Sequence, residues 1–325
     1  MKHFVISILV FMVCLSCHNE PKNTKLRGVV FGTSYAIIYD SDINYQRQCD
    51  SLFNVINNSM STYQEDSDIS KFNRNELSDV DSHFVKVYDT SKDIFENTQG
   101  AFDPTIGNVV NAWKFGAENI LEAVDSLKID SLMQYVGFDK TDRHKHTIQK
   151  TNPNVYLEFN AIAKGYAVDV IGAFLEANKI ENYLVEIGGE IRVKGSNSEK
   201  QKSWEVGLEE PNFDGEQVIL KAIKLKDQAM ATSGTYRKFK IDNQGKRYAH
   251  IIDTDTGYPS KTNLLSITVI AEDCITADAY ATAFKSMGIK KVKAFLQHHP
   301  ELKVFLIFEN EKQELETLSL NGFPE

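Results

Sequence analysis

The chain has 325 residues and a formal net charge of −9 at pH 7, and 42% of its residues are hydrophobic. This is an ordinary globular composition with enough length for a sizeable core, and it contains no low-complexity segment or internal repeat. The acidic balance argues against nucleic acid as the main partner, because phosphate binding needs a basic face.

The N-terminal stretch MKHFVISILVFMVCLSC has the pattern of a secretory signal. Lys2 precedes an apolar run that is too short to span a bilayer as a helix. The residues LSC that end at Cys17 resemble the bacterial lipoprotein signal, in which the cysteine becomes the lipidated N-terminus; a plain secretory peptide is the alternative. We predict a lipoprotein signal peptide at 1–16, a polar tether at 17–26 and a single domain at 27–325.

The first half of the domain is predicted to be mainly helical. Two short strand pieces at Arg27–Asp40 come first, and apolar residues then recur at helical spacing in three segments. These segments begin near Tyr45 and near Phe84, with a weaker pattern at Asn119–Val136. Cys49 belongs to the first of them, and we expect it to be a buried small hydrophobe, as is Cys274.

A strand-to-helix turn follows in the stretch LEFNAIAKGYAVDVIGAFLEA. A strand at Tyr156–Phe159 is predicted to run into a helix at Ile162–Ala177, with Glu158, Lys164 and Gly165 at the junction. Such a turn suggests a phosphate cradle, because free N–H groups and the positive end of a helix dipole attract anions. The two-glycine pattern of a P-loop is absent, so this turn alone does not identify the ligand.

Short strands dominate the second half of the chain. The predicted strands are Tyr183–Ile187, Glu190–Lys194, Trp204–Leu208, Val218–Leu225, Gln228–Thr232, Tyr236–Ile241, Tyr248–Ile252 and Leu264–Ala271. Helices at Ala277–Met287 and Lys290–His298 and a hairpin of Val304–Glu309 with Glu314–Leu318 complete the chain. Because helices cluster in the first half and strands in the second, we predict an α+β fold.

Two segments near the end of the domain carry candidate chemistry. In CITADAYATAF, Asp278 and Thr282 are four residues apart and share one face of a helix, where their hard oxygens suit Mg²⁺. The alternative is that Asp278 only complements the helix dipole and that Thr282 has no functional role. His250, on the predicted strand before an Asp-rich turn, could be a general base or phosphate partner, or an ordinary surface histidine.

Three turns offer weaker signals. The Gly188-Gly189 pair could make a tight hairpin turn or let a ligand approach the backbone. Asp103 is predicted to cap a helix whose first residue is Pro104. Ser233 and Gly234 are predicted to lie between strands, where they could form a turn or present a hydroxyl and an amide to a ligand. Phe102, beside Asp103, could stack on a planar ring, and Tyr63 could do the same or be an aromatic residue at the edge of the core.

The order of these motifs is more specific than any one of them. In chain order the sequence contains VFGTSY, MSTYQEDSDISKFN, GAFDPTIG, EFNAIAKGYAVD, NYLVEIGGEI, WEVGLEEP, ATSGTYR, HIIDTDTGYP and DCITADAYATAF. This set, from about Val29 to Met287, resembles the ApbE family, the FAD:protein FMN transferases. The resemblance implies an ApbE-like, T-fold-like arrangement of mixed and antiparallel sheets flanked by helices.

The resemblance also implies an activity. The family binds FAD with Mg²⁺, splits its pyrophosphate, transfers FMN to a threonine hydroxyl of an acceptor protein and releases AMP. Acceptors are typically flavoprotein subunits of membrane electron-transfer complexes, and several members are periplasmic lipoproteins. We therefore expect Cys17 to anchor the protein on the periplasmic side of a bacterial membrane, with the inner membrane favoured. An FAD pyrophosphatase and a non-catalytic flavin-binding lipoprotein are the alternatives.

Site residues follow from the matched motifs. The Ala161 carbonyl, Asp278 and Thr282 would bind the metal, Lys164 would contact the nucleotide, and His250 would act as catalytic base or position the phosphate. The remaining FAD-lining positions implied by the resemblance are Phe31, Tyr63, Ala101, Phe102, Asp103, Glu158, Gly188, Gly189, Ser233 and Ile252.

The chain departs from the family pattern at three points. Glu158 stands where many members have Asp, and Phe31 stands where Met is usual. The segment HIIDTDTG lacks the proline of the commoner HIIDPxTG, which would stiffen that turn.

Overall fold

A computed structural model describes residues 23–118, 125–212, 216, 218–235, 239–241 and 247–325. The helices are α1 Gln46–Met60, α2 Asp68–Asn73, α3 Ser82–Asn97, α4 Gly107–Ala112, α5 Ser126–Met133, α6 Ala163–Ala177 and α7 Cys274–Leu296. The strands are β1 Thr24–Val30, β2 Thr33–Tyr39, β3 Thr141–His144, β4 Thr147–Lys150, β5 Tyr183–Ile187, β6 Glu190–Lys194, β7 Trp204–Glu209, β8 Ile219–Leu225, β9 Gln228–Gly234, β10 Phe239–Ile241, β11 Arg247–Ala249, β12 Leu264–Ala271, β13 Lys303–Glu309 and β14 Leu315–Leu320. The predicted α+β class is confirmed.

An eight-stranded sheet forms the centre of the fold. Its strand order is β1-β2-β5-β6-β9-β12-β13-β14, and each neighbouring pair is antiparallel. The segment between β2 and β5 leaves the sheet and supplies the helices α1 to α6. The strand pairs β3–β4, β7–β8 and β10–β11 form separate two-stranded hairpins.

The two faces of this sheet pack against different layers. Helices α1, α3, α6 and α7 cover one face, which contains the fully buried side chains of Val185 and Val269. The β7–β8 hairpin covers the opposite face, where Trp204 clusters with Met230 and Ile270. Because successive strand residues point to opposite faces, β12 supplies both clusters, and all eight of its residues are buried.

The span α7 corresponds to the two helices predicted at Ala277–Met287 and Lys290–His298, and a kink separates them as predicted. The halves meet at Gly288, whose backbone is non-helical, with φ 74° and ψ 167°. Cys274 at its start and Cys49 in α1 are buried and unbonded to each other, in agreement with the prediction. In the described part of the chain, no helix has the length and apolar content needed to cross a membrane.

The prediction of a strand at Tyr156–Phe159 is wrong, because a side chain forms the backbone hydrogen bonds that a neighbouring strand would form. Tyr156 makes only an isolated bridge to Ile106. The Asn73 amide then occupies both backbone groups of Leu157, accepting its N–H at 2.8 Å and donating to its carbonyl at 2.9 Å. Asn73 thus replaces the neighbouring strand that the pattern predicted.

Several predicted boundaries also change. Ser233 and Gly234 do not form a turn, because β9 continues through them and pairs with β12. Strand β11 ends at Ala249, so His250 follows the strand instead of lying on it. Helix α5 forms part of the weak segment Asn119–Val136, of which 119–124 lies outside the described residues. The elements α2, β3 and β4 were not predicted, and α4 begins at Gly107, three residues after the predicted start at Pro104.

Candidate active site

A cleft of about 870 Å³ brings together segments that are far apart in the sequence. It lies where α1, α6 and α7 meet the ends of β5, β6 and β9. The predicted site residues that line it are Phe31, Tyr63, Ala101, Phe102, Asp103, Glu158, Ala161, Lys164, Gly188, Ser233, His250, Ile252, Asp278 and Thr282. Gly189 is not among its lining residues, and Cys17 lies outside the described part of the chain.

The first turn of α6 supplies one wall of the cleft. The Gly165 N–H donates to Asp278 Oδ2 at 3.0 Å instead of to the carbonyl of Ala161 four residues earlier. Among the described residues, no N–H group donates to that carbonyl. The close approach requires glycine, because a Cβ at position 165 would lie 2.3 Å from the Cys274 carbonyl oxygen.

The first turns of α7 supply the facing wall. Asp278 is only 4% exposed, and burial raises the pKa of its carboxyl while Lys164 and the Gly165 N–H oppose this. Thr282 lies one turn further on, and its hydroxyl is 3.1 Å from Ser233 Oγ. The Ala161 carbonyl, the Asp278 carboxylate and the Thr282 hydroxyl are all hard oxygen donors. This donor set fits Mg²⁺ and does not fit Zn²⁺, which prefers nitrogen and sulfur.

Lys164 forms an ion pair with a residue that the sequence analysis missed. Its Nζ lies 2.5 Å from Oε1 of Glu190, whose side chain is 4% exposed. Burial opposes the charge of Lys164, but the carboxylates of Glu190 and Asp278 outweigh it and hold the pKa of Lys164 above its ordinary value. Burial also raises the pKa of Glu190. The available signal was an acidic residue directly after the glycine pair, at the start of an inward-facing strand.

The glycine pair makes the tight hairpin turn between β5 and β6. Gly188 and Gly189 have φ values of 66° and 105°, which other residues rarely adopt. Gly188 lines the cleft, whereas the Gly189 N–H donates to Glu186 Oε1 at 2.8 Å. The turn interpretation is therefore confirmed for both residues, and Gly188 alone reaches the cleft.

Three aromatic residues among the predicted site residues also line the cleft. Phe31, at the β1–β2 turn, has a φ of 51° and packs edge-on against Phe53 with ring centroids 5.7 Å apart. Tyr63 is 62% exposed at the rim, so its ring is open to a ligand, whereas Phe102 is buried. These rings could hold a planar heterocycle by stacking or edge contacts.

His250 and Ile252 reach the cleft from the segment after β11. The ring of Phe115 lies edge-on to His250 with centroids 6.3 Å apart. The missing proline of this segment is offset by hydrogen bonds. Thr254 Oγ1 donates to the Gly100 carbonyl at 2.6 Å, and Asp253 Oδ1 accepts from the N–H of Thr256 at 2.9 Å. The turn is thereby tied to the Gly100–Gly107 segment, which also lines the cleft.

Asp103 does not cap a helix, contrary to the prediction. Helix α4 begins at Gly107, and Asp103 Oδ1 instead accepts from the N–H of Thr105 at 2.8 Å and from its hydroxyl at 2.6 Å. The carboxyl is thus held in a local turn on the cleft wall. Its burial raises its pKa from 3.8 to about 6, although the two Thr105 bonds oppose this.

We expect Asp103→Asn to stabilise the fold at neutral pH. The folded pKa lies above the unfolded value, so the native state binds the extra proton and stability falls as pH rises from about 4 to about 6. Two pKa units correspond to about 3 kcal/mol, and the neutral variant should avoid that loss while keeping the Thr105 bonds. Urea unfolding of both proteins at pH 4.5 and 7.5 measures the difference.

The matched control is Asp142→Asn, which removes an exposed carboxylate on β3. Its free energy of unfolding should follow that of the unaltered protein at both pH values. Equal stability of the Asp103→Asn variant and the unaltered protein at both pH values would contradict a raised pKa of Asp103 in the folded state.

Known proteins resemble this chain in sequence and in overall fold. The model of the ApbE family matches residues 31–306. An FAD:protein FMN transferase of Haemophilus influenzae is 36% identical over 94% of this chain and 93% of its own length, and one of Vibrio cholerae is 34% identical over 89% and 88%. The solved flavin transferase ApbE from Vibrio cholerae has a TM-score of 0.83 at 33% identity, covering 92% of this chain and 97% of that one. The apo flavinyl transferase ApbE of Pseudomonas stutzeri has a TM-score of 0.81 at 26% identity, covering 92% and 94%.

The matched range contains every lining residue of the cleft, from Phe31 at the β1–β2 turn to Ser286 on α7. The relatives share the whole domain and not one isolated motif, since each covers most of this chain. On these grounds the chain belongs to the ApbE family.

Proposed function

We propose that this chain is a Mg²⁺-dependent FAD:protein FMN transferase. It binds FAD in the cleft, joins the FMN phosphate to a threonine hydroxyl of an acceptor protein and releases AMP. The observation that carries the proposal is the meeting, in one cleft, of a cation, a set of hard oxygens and a histidine. These are Lys164, the donors Ala161, Asp278 and Thr282, and His250.

The residues of the cleft have separate roles in the proposed transfer. Bound Mg²⁺ supplies neutralisation of charge on the phosphoryl oxygens. Lys164, held in place by its ion pair with Glu190, donates hydrogen bonds to the nucleotide, and Tyr63 and Phe102 hold the flavin ring. His250 accepts the proton of the threonine hydroxyl as that oxygen bonds to the FMN phosphorus and the bond from phosphorus to the AMP oxygen breaks.

A transfer assay tests the proposal. The mature protein is mixed with FAD, Mg²⁺ and a threonine-bearing flavoprotein subunit encoded near its gene. AMP release is followed, and flavin fluorescence is read in a denaturing gel. A fluorescent acceptor band with stoichiometric AMP is expected. AMP and free FMN with dark bands for several acceptors would instead favour a pyrophosphatase, and FAD that stays intact with Mg²⁺ would indicate a binding protein.

We expect His250→Ala to lower kcat by about a hundredfold or more while changing FAD affinity little. General base catalysis typically contributes 10²–10⁴-fold, and a base that takes the proton of the acceptor threonine acts on the transfer step and not on the binding of FAD. Single-turnover AMP release and quenching of FAD fluorescence separate the two quantities.

The control for this variant is His144→Ala, which removes an exposed histidine on β3 and should leave both quantities unchanged. Equal losses of turnover and of FAD affinity in the His250 variant would assign His250 to binding.

We further propose that Cys17 is lipidated and holds the enzyme on the periplasmic side of the inner membrane, close to acceptor subunits of membrane electron-transfer complexes. The LSC sequence at Cys17 supports this. Mass spectrometry of the mature N-terminus should find a diacylglyceryl cysteine, and Cys17→Ala should move the protein out of the membrane fraction. An unmodified N-terminus would contradict the anchor.

A further inference from the structure

The contact between α6 and α7 is reciprocal. Asp169, one turn after Gly165 on α6, accepts from the N–H of Cys274 at 3.0 Å and from the N–H of Ile275 at 2.8 Å. In return, Asp278 on α7 accepts from the N–H of Gly165 at 3.0 Å. Each helix thus offers a carboxylate to backbone amides of the other. We call this pair of contacts the α6–α7 clasp.

The Asp169 half of the clasp is more than a helix cap. Asp273 already caps α7, since its side chain accepts from the N–H of Thr276 at 3.1 Å. Asp169 adds a second carboxylate from another helix, and its side chain is only 12% exposed. Arg192 donates to the same carboxylate at 2.8 Å from β6 and so fixes its orientation. A contact across elements, held in this way, sets where α7 lies against α6.

The position of α7 matters because the proposed metal donors come from both helices. Asp278 and Thr282 lie on α7, while the Ala161 carbonyl and Lys164 belong to the entrance of α6. Asp278 Oδ2 faces Gly165, and among the described residues nothing donates to Oδ1. A shift of α7 along α6 would move that free oxygen relative to Ala161, and sites of this kind tolerate only about 0.5 Å.

We propose that Asp169 is a positioning residue for the metal end of the site. It holds the first turn of α7 against α6 and thereby sets the distance between Asp278 and the Ala161 carbonyl. The inference rests on the proposed function, because it concerns the metal of that reaction. Replacing a residue that orients metal-binding side chains typically lowers metal affinity by 10–100-fold.

Asp169→Asn tests this role. The amide keeps one acceptor oxygen, but it turns an N–H₂ group toward one of the donors and removes the charge that faces Arg192. Titration of the full mature protein with Mn²⁺, followed by electron paramagnetic resonance, measures metal binding without turnover. We expect Mn²⁺ to bind about tenfold or more weakly, the Mg²⁺ concentration for half-maximal AMP release to rise similarly, and FAD affinity to stay within about threefold of wild type.

Two further variants make the test specific. Asp273→Asn is the matched control, because Asn is as good an N-cap as Asp, and it should keep wild-type Mn²⁺ affinity. Asp169→Glu keeps the charge and both oxygens but displaces them by one methylene. Asp169→Glu should weaken Mn²⁺ binding less than Asp169→Asn does. If the Asn variant does not fold, the Glu variant tests the positioning role by itself.

The outcomes are distinguishable. Weaker Mn²⁺ binding by folded Asp169 variants, with FAD affinity kept, supports the positioning role. Wild-type Mn²⁺ affinity in those variants, with only a lower free energy of unfolding, would overturn it and leave the transferase function intact. A wild-type protein that binds no Mn²⁺ but still transfers FMN would overturn the metal dependence itself, and the inference with it.

Discussion

Asp278→Ala should lower AMP release from FAD by about a thousandfold while leaving the protein folded. Losing a bound divalent cation removes several kcal/mol of charge stabilisation, and each 1.4 kcal/mol is tenfold in rate. The fold should survive because Asp278 is a buried charge whose removal also relieves a desolvation cost, against the loss of one hydrogen bond from Gly165. Mg²⁺-dependent AMP release and a thermal melt measure the two effects.

Asp278→Asn separates the effect of the negative charge from the effect of removing the side chain. Asparagine has nearly the same shape and can still accept from the Gly165 N–H, so it isolates the negative charge. We expect a loss of AMP release close to that of the alanine variant and a melting temperature close to wild type. Full AMP release by either folded variant would show that Asp278 does not bind the metal.

Gly165→Ala is expected to produce the largest structural effect of any single methyl group in the site. The new Cβ would lie 2.3 Å from the Cys274 carbonyl oxygen and 2.8 Å from Asp278 Cβ, so α6 and α7 must separate. Overpacking of this kind costs about 3 kcal/mol. The separation would also break the bond from Gly165 to Asp278, so Mn²⁺ binding should weaken together with stability. Urea unfolding and a Mn²⁺ titration measure both.

Gly172→Ala is the matched control on the same helix. A Cβ there would meet the Tyr183 hydroxyl at 2.9 Å and Arg192 Cδ at 3.1 Å, which are side-chain atoms able to give way. Alanine also favours helix over glycine by about 1 kcal/mol. We therefore expect a smaller change in stability than in the Gly165 variant. Because Arg192 also orients Asp169, Mn²⁺ affinity should fall slightly, and much less than in the Gly165 variant. Equal effects of the two variants would contradict a special contact at Gly165.

Local patterns were predicted well wherever a short segment determines its own conformation. Helix α6 begins within one residue of the predicted start, because its apolar spacing is visible in the sequence. The Gly188-Gly189 turn formed as expected, since few other residues adopt its positive φ values. The set of cleft residues was identified from the family resemblance, and spacing alone did not bring those motifs together.

Interactions between distant segments were not predictable in this way. Leu157 lies in an apolar run that predicts a strand, but the side chain of Asn73 satisfies its backbone from 84 residues away. Glu190 and Asp169 look like ordinary surface acids until the fold buries them against Lys164 and the start of α7. For Asp103, two local hydrogen-bonding options existed, a helix cap and a turn with Thr105, and sequence spacing does not choose between them.

The separation of the two sheet faces has a practical consequence for biosensor work. None of the residues in the cluster beneath β7–β8 lines the cleft, so that hairpin offers a remote point of attachment in the described part of the chain. Leu220 on β8 is 41% exposed, and Leu220→Cys would give a thiol for coupling to a chip. Cys49 and Cys274 are buried and should not compete for the reagent. Immobilised molecules would then share one orientation, with the cleft directed toward the solution and its acceptor proteins.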